Sequence, residues 1–346
     1  MNVRLFWHRL THWEYWPLKV IYYPLFPVWL YFSFKARSFF FFNAANPSMR
    51  NGGMAMEPKM DIYNNIPSKY IPKTVFIDKK TSIHEVLDLV AHSSLTYPLI
   101  AKPDIGMKSF AVERIYDAKG IEHYLQKTPS DFLIQEFIPY EKEVGIFYVR
   151  YPGQQAGKIT GIVGKEFLTV QGDGLRSIEE LLKKEARGHL QLSVLKSQLG
   201  DSLENILPAG ERKILVPYGS HTRGAKFIDL SHLKTPALET TINSICTKID
   251  GFYYGRLDVL YQSFEELTEG KNFSIIEVNG AGSEATHIYD PSHSLFFAWR
   301  EIVAHWNHLC KISIINHRKG HPYLSFSAGR RMLKEHDRLE AKLKVI

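Results

Sequence analysis

Two apolar, β-rich runs near the C-terminal end, residues 252–261 and 273–279, each carry polar side chains two apart: Arg256 and Asp258 on the first, Glu277 and Asn279 on the second. Residues two apart on a strand share a face. If the two strands are neighbours, one wall presents an arginine, two carboxylates and an amide. Polar groups on strands this apolar are costly to bury without partners. Mg2+ is commonly held by one or two carboxylates together with substrate phosphates. The spacing therefore suits a nucleotide–metal wall, with ordinary salt bridges on two half-exposed strands as the alternative.

Upstream, the chain alternates strand and helix signals. Residues 82–91 read as a helix, with Ser82 and Glu85 forming a capping box. An apolar strand then ends in Lys102-Pro103 before a loop bearing Gly106. A lysine placed there can reach phosphate oxygens, while the following loop offers backbone N–H groups. A strand over 110–115, a helix over 117–126 and a strand over 132–139 complete a small α+β unit with a flap. Further strands follow at 144–151 and 158–170, the second containing Lys165. Gly172-Asp173-Gly174 is a turn, and Ser177 and Glu180 form another capping box. A helical stretch over 186–205, the apolar run 214–217, the polar loop 220–224 and a helix over 236–249 lead into the opening pair of strands. The tail reads as helices, the last over 327–344.

The first fifty residues stand apart. They are dense in Trp, Tyr and Phe, and their uncharged run, 20–34, is interrupted by Pro24 and Pro27. A spanning helix needs roughly 20 apolar residues, so a clean transmembrane helix is not expected. Nor is a cleaved signal peptide, because Glu14 and Lys19 break up the early hydrophobics. Aromatic residues beside Lys and Arg suit a membrane–water interface. They equally suit an arm packed over the body or in a dimer interface, and both readings stay open. The net charge of +7 resolves into +5 over residues 1–50, +6 over 311–346 and −4 over the remainder. The body is thus not a basic nucleic-acid surface. Cys246 and Cys310 are far apart and in no C-x-x-C context, which argues against a zinc ribbon or disulfide framework.

Taken in order, Lys59, Lys102-Pro103, Gln135-Glu136-Phe137-Ile138-Pro139, Glu143, Gly172-Asp173-Gly174, Arg256-x-Asp258 and Glu277-x-Asn279 resemble the ATP-grasp superfamily, on its D-alanine–D-alanine ligase and cyanophycin synthetase side, over about residues 55–300. The resemblance implies an α+β fold in which two subdomains clamp ATP. The expected parts are an aromatic arm (1–54), a linker with the small subdomain (55–138), a large subdomain with the metal site (139–300) and basic C-terminal helices (301–346). The 58 residues before Lys59 are too few for the N-terminal α/β domain of D-alanine–D-alanine ligases, so that domain is expected to be lacking.

The same resemblance implies site roles. Lys59 and Lys102 hold ATP phosphates, the backbone of Glu136, Phe137 and Ile138 reads the adenine edge, Glu143 binds the ribose and Lys165 adds a further contact. Asp258, Glu277 and Asn279 ligate two Mg2+ ions. Arg256, with Arg223, stabilises transferred and tetrahedral groups. His221, Gly282 and Ser283 lie toward the substrate, in company with Asp229. His287 and His293 are read as supporting residues rather than acid or base. The implied activity is an ATP-dependent carboxylate–amine (or carboxylate–thiol) ligase that forms an acyl phosphate. A small-molecule kinase on the same scaffold and a non-catalytic, membrane-associated nucleotide-binding module are the alternatives. The expected partners are small-molecule or lipid-like carboxylate and amine substrates and no nucleic acid, with a membrane surface or a homodimer open for the arm. The expected location is the cytoplasm, with attachment to the inner face of the membrane open.

Overall fold

The computed structural model describes residues 3–107, 109–216 and 224–344. Four strands, β1 (Thr74–Ile77), β2 (Leu99–Pro103), β3 (Glu113–Ile115) and β4 (Phe132–Glu136), form an antiparallel sheet in the order β1-β4-β2-β3. The helices Ile83–His92 and Ala118–Lys127 pack on one face through Val86, Val90, Ile121 and Tyr124. Both are started by local chemistry. Ser82 and Glu85 cap each other reciprocally, and Asp117 accepts from the Gly120 N–H. Strand β3 is shorter than the sequence suggested. Ser109 and Ala111 sit at φ near +57° and +54°, a left-handed conformation that cannot continue an extended strand.

Strand alternation decides what this sheet turns toward the rest of the molecule. Leu99 and Ala101 of β2, with Phe132 and Ile134 of β4, face the two helices. Lys102 and Leu133, opposite each other in register, face the other way, and Leu133 joins the core of the second unit.

The second unit contains β5 (Lys142–Val149), β6 (Lys158–Glu166), β7 (Leu168–Gln171), β8 (Arg212–Val216), β9 (Lys226–Asp229), β10 (Tyr254–Tyr261) and β11 (Phe273–Asn279). Five of these make an antiparallel sheet, β11-β10-β5-β6-β9, and β7 and β8 form a separate ribbon. One face of the large sheet packs Val144, Ile146, Ile159, Leu257 and Val259 against the helix Pro236–Cys246. The opposite face carries Glu143, Gly145, Lys165, Arg256 and Asp258 and turns toward a cleft. Fold class is α+β, with two antiparallel sheets meeting across that cleft.

The aromatic arm packs on the body as part of its core. Ile21, Phe32, Phe40, Phe41 and Phe42 are buried with Phe147, Tyr254, Ala298, Ile302 and Leu309. The helix Leu295–Arg318 runs through this cluster, and Phe326–Leu343 closes it with Met332. No helix among the described residues is long and apolar enough to cross a membrane. Cys246 and Cys310 are buried free thiols, and burial pushes both thiol pKa values up, Cys310 to about 11.

Candidate active site

Strands β10 and β11 pair directly. Arg256 stands opposite Asn279, and Asp258 opposite Glu277. In an antiparallel pair, opposed residues share a face, so the four polar side chains form one wall, as their spacing suggested. The register slips after Asp258, because Val259 pairs with Ile275 and Ile276 is left without a partner. A β-bulge of this kind frees a backbone group from the ladder. Here the freed Ile276 carbonyl accepts hydrogen bonds from the Tyr63 hydroxyl and from Lys102 Nζ at 3.1 Å.

Lys102 is deeply buried, with 7% of its surface exposed. Its ammonium also donates to Tyr63 Oη and Gln135 Oε1, both at 2.8 Å. Burial pushes its pKa down to about 8, against the pull of Glu277 and Asp104. Lys59 donates to the Gly106 carbonyl at 3.1 Å and lies 3.7 Å from Glu277 Oε1. The two lysines thus reach the same space from different elements, one anchored by the wall and the other by the loop after β2.

Arg256 grips Asp258 in a two-pronged pair, Nε to Oδ1 at 2.8 Å and Nη2 to Oδ2 at 3.0 Å, and donates to the Glu284 carbonyl at 3.2 Å. Lys165 lies 3.3 Å from Asp258 Oδ2 and is also hydrogen-bonded to Glu143, which stands opposite it in the sheet. Burial alone raises the Asp258 pKa, but Arg256 and Lys165 outweigh it and hold the group below its ordinary value. Burial pushes Glu143 up despite Lys165, so of the two carboxylates sharing Lys165, Asp258 is the settled anion. Gly145 lies beneath this cluster. A β-carbon there would fall 2.8 Å from Val163 Cγ1 and 3.1 Å from Asp258 Oδ1.

Lys59, Lys102, Glu136, Phe137, Ile138, Glu143, Lys165, Arg256, Asp258, Glu277, Asn279 and Gly282 all line one cleft of about 1110 Å³. That volume exceeds the roughly 300–1,000 Å³ typical of a single small-ligand pocket. Phe137 stacks under the Arg114 guanidinium at 3.8 Å, and Glu136 accepts from the Lys73 N–H, which positions the strand end expected at the adenine edge. Gly282 is held by its N–H to the Gly53 carbonyl, and a β-carbon on it would meet Met54 O at 2.3 Å.

Lys165, expected to contact a phosphate or purine, lines the cleft and is tied there to Glu143 and Asp258. Two expectations are corrected. Ser283 turns its hydroxyl back to the Gly280 carbonyl and does not line the cleft. Asp229 pairs with His293 at 2.8 Å at the far edge of the sheet and is likewise outside it. His287 is buried 3.7 Å from Glu301, and His293 is engaged with Asp229. His221 and Arg223 lie outside the described residues.

Sequence reasoning missed Glu57, Tyr63 and Glu284, and named Gln135 without giving it a role. Tyr63 lies one helical turn after Lys59 on the same short helix, Lys59–Tyr63, a spacing that places both on one face. Glu57 lies two residues before Lys59 and lines the cleft, with its Oε2 buried and without a hydrogen-bond partner among the described residues. Burial pushes its pKa up to about 7, helped by Glu277 and opposed by Lys59. Glu284 accepts from the Tyr22 hydroxyl of the arm and from Tyr289 Oη at 3.2 Å, a junction no local spacing announces.

No family model matches the chain, and no curated protein matches it. Similar solved structures include a bifunctional glutathione synthetase from Pasteurella multocida, at 15% identity and a TM-score of 0.37, covering 68% of this chain and 34% of that one. The VanG D-Ala:D-Ser ligase from Enterococcus faecalis is similar at 13% identity and a TM-score of 0.43, covering 77% of this chain and 62% of that one. The D-alanine–D-alanine ligase from Bacillus anthracis is similar at 12% identity and a TM-score of 0.42, covering 76% and 69%. This chain therefore spans about a third of the first structure and less than two thirds of the second.

Proposed function

We propose that this chain is an ATP-grasp enzyme, a Mg2+-dependent carboxylate–amine ligase that works through an acyl phosphate. The observation that carries the reading is the convergence in one cleft of Lys59, Lys102 and Arg256 with Asp258, Glu277 and Asn279. The donor set fits magnesium. Among the described residues no cage of three or more His, Cys, Asp or Glu side chains forms, and Mg2+ bound with a nucleotide needs only one or two carboxylates besides phosphate oxygens. The unpartnered Glu57 oxygen, close enough to feel Glu277, is a buried acceptor that a cation would satisfy. Asp258, Glu277 and Asn279 would hold the metal, which when bound would neutralise charge on the transferring phosphoryl group.

The chain's own residues supply position and charge. Lys59 and Lys102 would hold phosphate oxygens, Lys102 in exchange for one of its three present acceptors, and Arg256, fixed on Asp258, lines the same cleft. A carboxylate oxygen of the first substrate attacks the γ-phosphorus. The bond to ADP breaks, and an acyl phosphate forms. The nitrogen of the second substrate then attacks the acyl carbon. Phosphate leaves with the bonding electrons, and the amine proton passes to solvent. Phosphoryl transfer is mostly positioning and charge neutralisation, which suits three cations on rigid elements.

The direct test incubates the protein with ATP, Mg2+ and a panel of carboxylic acids, with hydroxylamine as trap. The expected products are ADP, phosphate and a hydroxamate of the acid used. ADP with a phosphorylated alcohol and no phosphate release overturns the ligase reading in favour of a kinase.

Lys102 gives a pH prediction. Its depressed value means that the cation is present below about pH 8 and is lost as pH rises through that point. ATP affinity, followed by titration calorimetry, is expected to fall about tenfold between pH 7 and pH 9. Lys102→Met should bind weakly with a flat profile over the same range, and an unchanged slope in that variant refutes the assignment.

A further inference from the structure

The helix Phe26–Ala36 is apolar on both sides. Phe32, Ser33 and Ala36 face the core, yet Phe26, Leu30, Tyr31 and Phe34 are exposed, Phe34 to 84%. A helix hydrophobic all round belongs inside a protein or in lipid. The exposed apolar set continues along the arm through Leu18, Val20 and Tyr23, and through Phe6, Trp7 and Leu10 of the helix Val3–Thr11. Phe39 and Phe326 extend it, their rings 6.3 Å apart. Lys19, Lys35 and Arg37 are exposed among these residues, and no Asp or Glu occurs between Glu14 and Glu57.

We propose that this face docks the protein on an anionic lipid surface, with the helix Phe26–Ala36 lying in the plane of the interface. Eleven residues make a helix of about 16 Å, against a hydrocarbon core of about 30 Å, so the helix lies on the bilayer and does not cross it. Aromatic rings interleaved with Lys and Arg, without acids, match the apolar–polar boundary of an anionic leaflet in both polarity and charge sign. A second copy of the chain is the poorer occupant. A two-fold pairing would bring Lys19, Lys35 and Arg37 of the two copies onto one seam, and the one carboxylate of the arm, Glu14, is buried against Arg187 and cannot oppose them.

The docked face also adjoins the cleft. Leu18 is exposed on the face and lines the cleft together with Arg9, Tyr15 and Trp16. An amphiphilic substrate held at the lipid surface can therefore enter from the interface. This consequence rests on the ligase reading; the docking itself does not.

The test is co-sedimentation of the full chain, without nucleotide, with vesicles of equal parts phosphatidylglycerol and phosphatidylcholine and with vesicles of phosphatidylcholine alone. Binding to the anionic vesicles is expected. It should weaken about fivefold for each of Lys19→Gln, Lys35→Gln and Arg37→Gln, and be lost in Phe34→Asp/Tyr23→Asp. Both aromatic side chains are exposed, so the double variant should keep the wild-type melting transition. Equal partition into the two vesicle types, binding that survives the double variant, or a dimer in light scattering that the double variant splits would each overturn the proposal. Because nucleotide is absent, this result and that of the hydroxylamine assay are read independently.

Discussion

Asp258→Asn is expected to lower ATP-dependent phosphate release on the order of 10³-fold and to reduce stability by about 3 kcal/mol. Both effects follow from its place in the wall. Asp258 is 3% exposed and neutralises two cations, Arg256 through a two-pronged pair and Lys165 at 3.3 Å. An amide in its place keeps the shape and one acceptor but leaves the charge of buried Arg256 without an anion. Breaking a buried pair from one side is far more costly than replacing the whole pair. Glu277→Gln separates the two effects. Glu277 is partly open to solvent, and among the described residues its one ion pair is with Lys59, at 3.7 Å, so its loss should cost less than about 1 kcal/mol while activity falls as far as in Asp258→Asn. Urea unfolding and phosphate release measured on the same preparations check both. Full activity in either variant would remove the metal assignment.

Asn46→Ala is expected to destabilise the protein by about 4 kcal/mol with no residue of the cleft altered. Asn46 is fully buried, and its amide Nδ2 donates to the carbonyls of Gly52 at 3.0 Å and Tyr254 at 2.8 Å. Its Oδ1 accepts from the N–H groups of Tyr253 at 2.8 Å and Tyr254 at 3.0 Å. Four hydrogen bonds at about 1 kcal/mol each give the figure, and each backbone group left behind loses its side-chain partner. One side chain therefore ties the end of the arm to the start of β10, two residues before Arg256. A urea midpoint close to that of the wild type would show that this clamp contributes little.

Much of the site was legible because the relevant geometry is local. Arg256 with Asp258, and Glu277 with Asn279, share a face because a strand has a period of two. Ser82 with Glu85, and Ser177 with Glu180, cap their helices within four residues, and both boxes form as expected. The order of Lys59, Lys102, Glu136 and Glu143 along the chain was enough to suggest that they share a site, and all four line one cleft. The ion pairs of Lys165 were not legible, because strand position fixes which way a side chain points and leaves open which charge it meets. That Glu143 and Asp258 converge on it depends on β10 and β6 flanking β5 on opposite sides.

The chain by itself determined strand faces, helix starts, the aromatic arm with its acid-free stretch from 15 to 56, and the residue types available for phosphate and metal. All of these arise from backbone geometry over a few residues or from composition. The tertiary structure alone decided that the Ile276 carbonyl would be freed by a bulge to receive Tyr63 and Lys102, the lysine lying 174 residues away along the chain. It alone brought Glu57 near Glu277 with its Oε2 unpaired among the described residues, and buried one side of the arm in the core while leaving the other exposed. The physical reason is that contacts between distant segments are set by which apolar faces bury together. Polar groups such as Lys102 and Asp258 must then find partners wherever that packing leaves them.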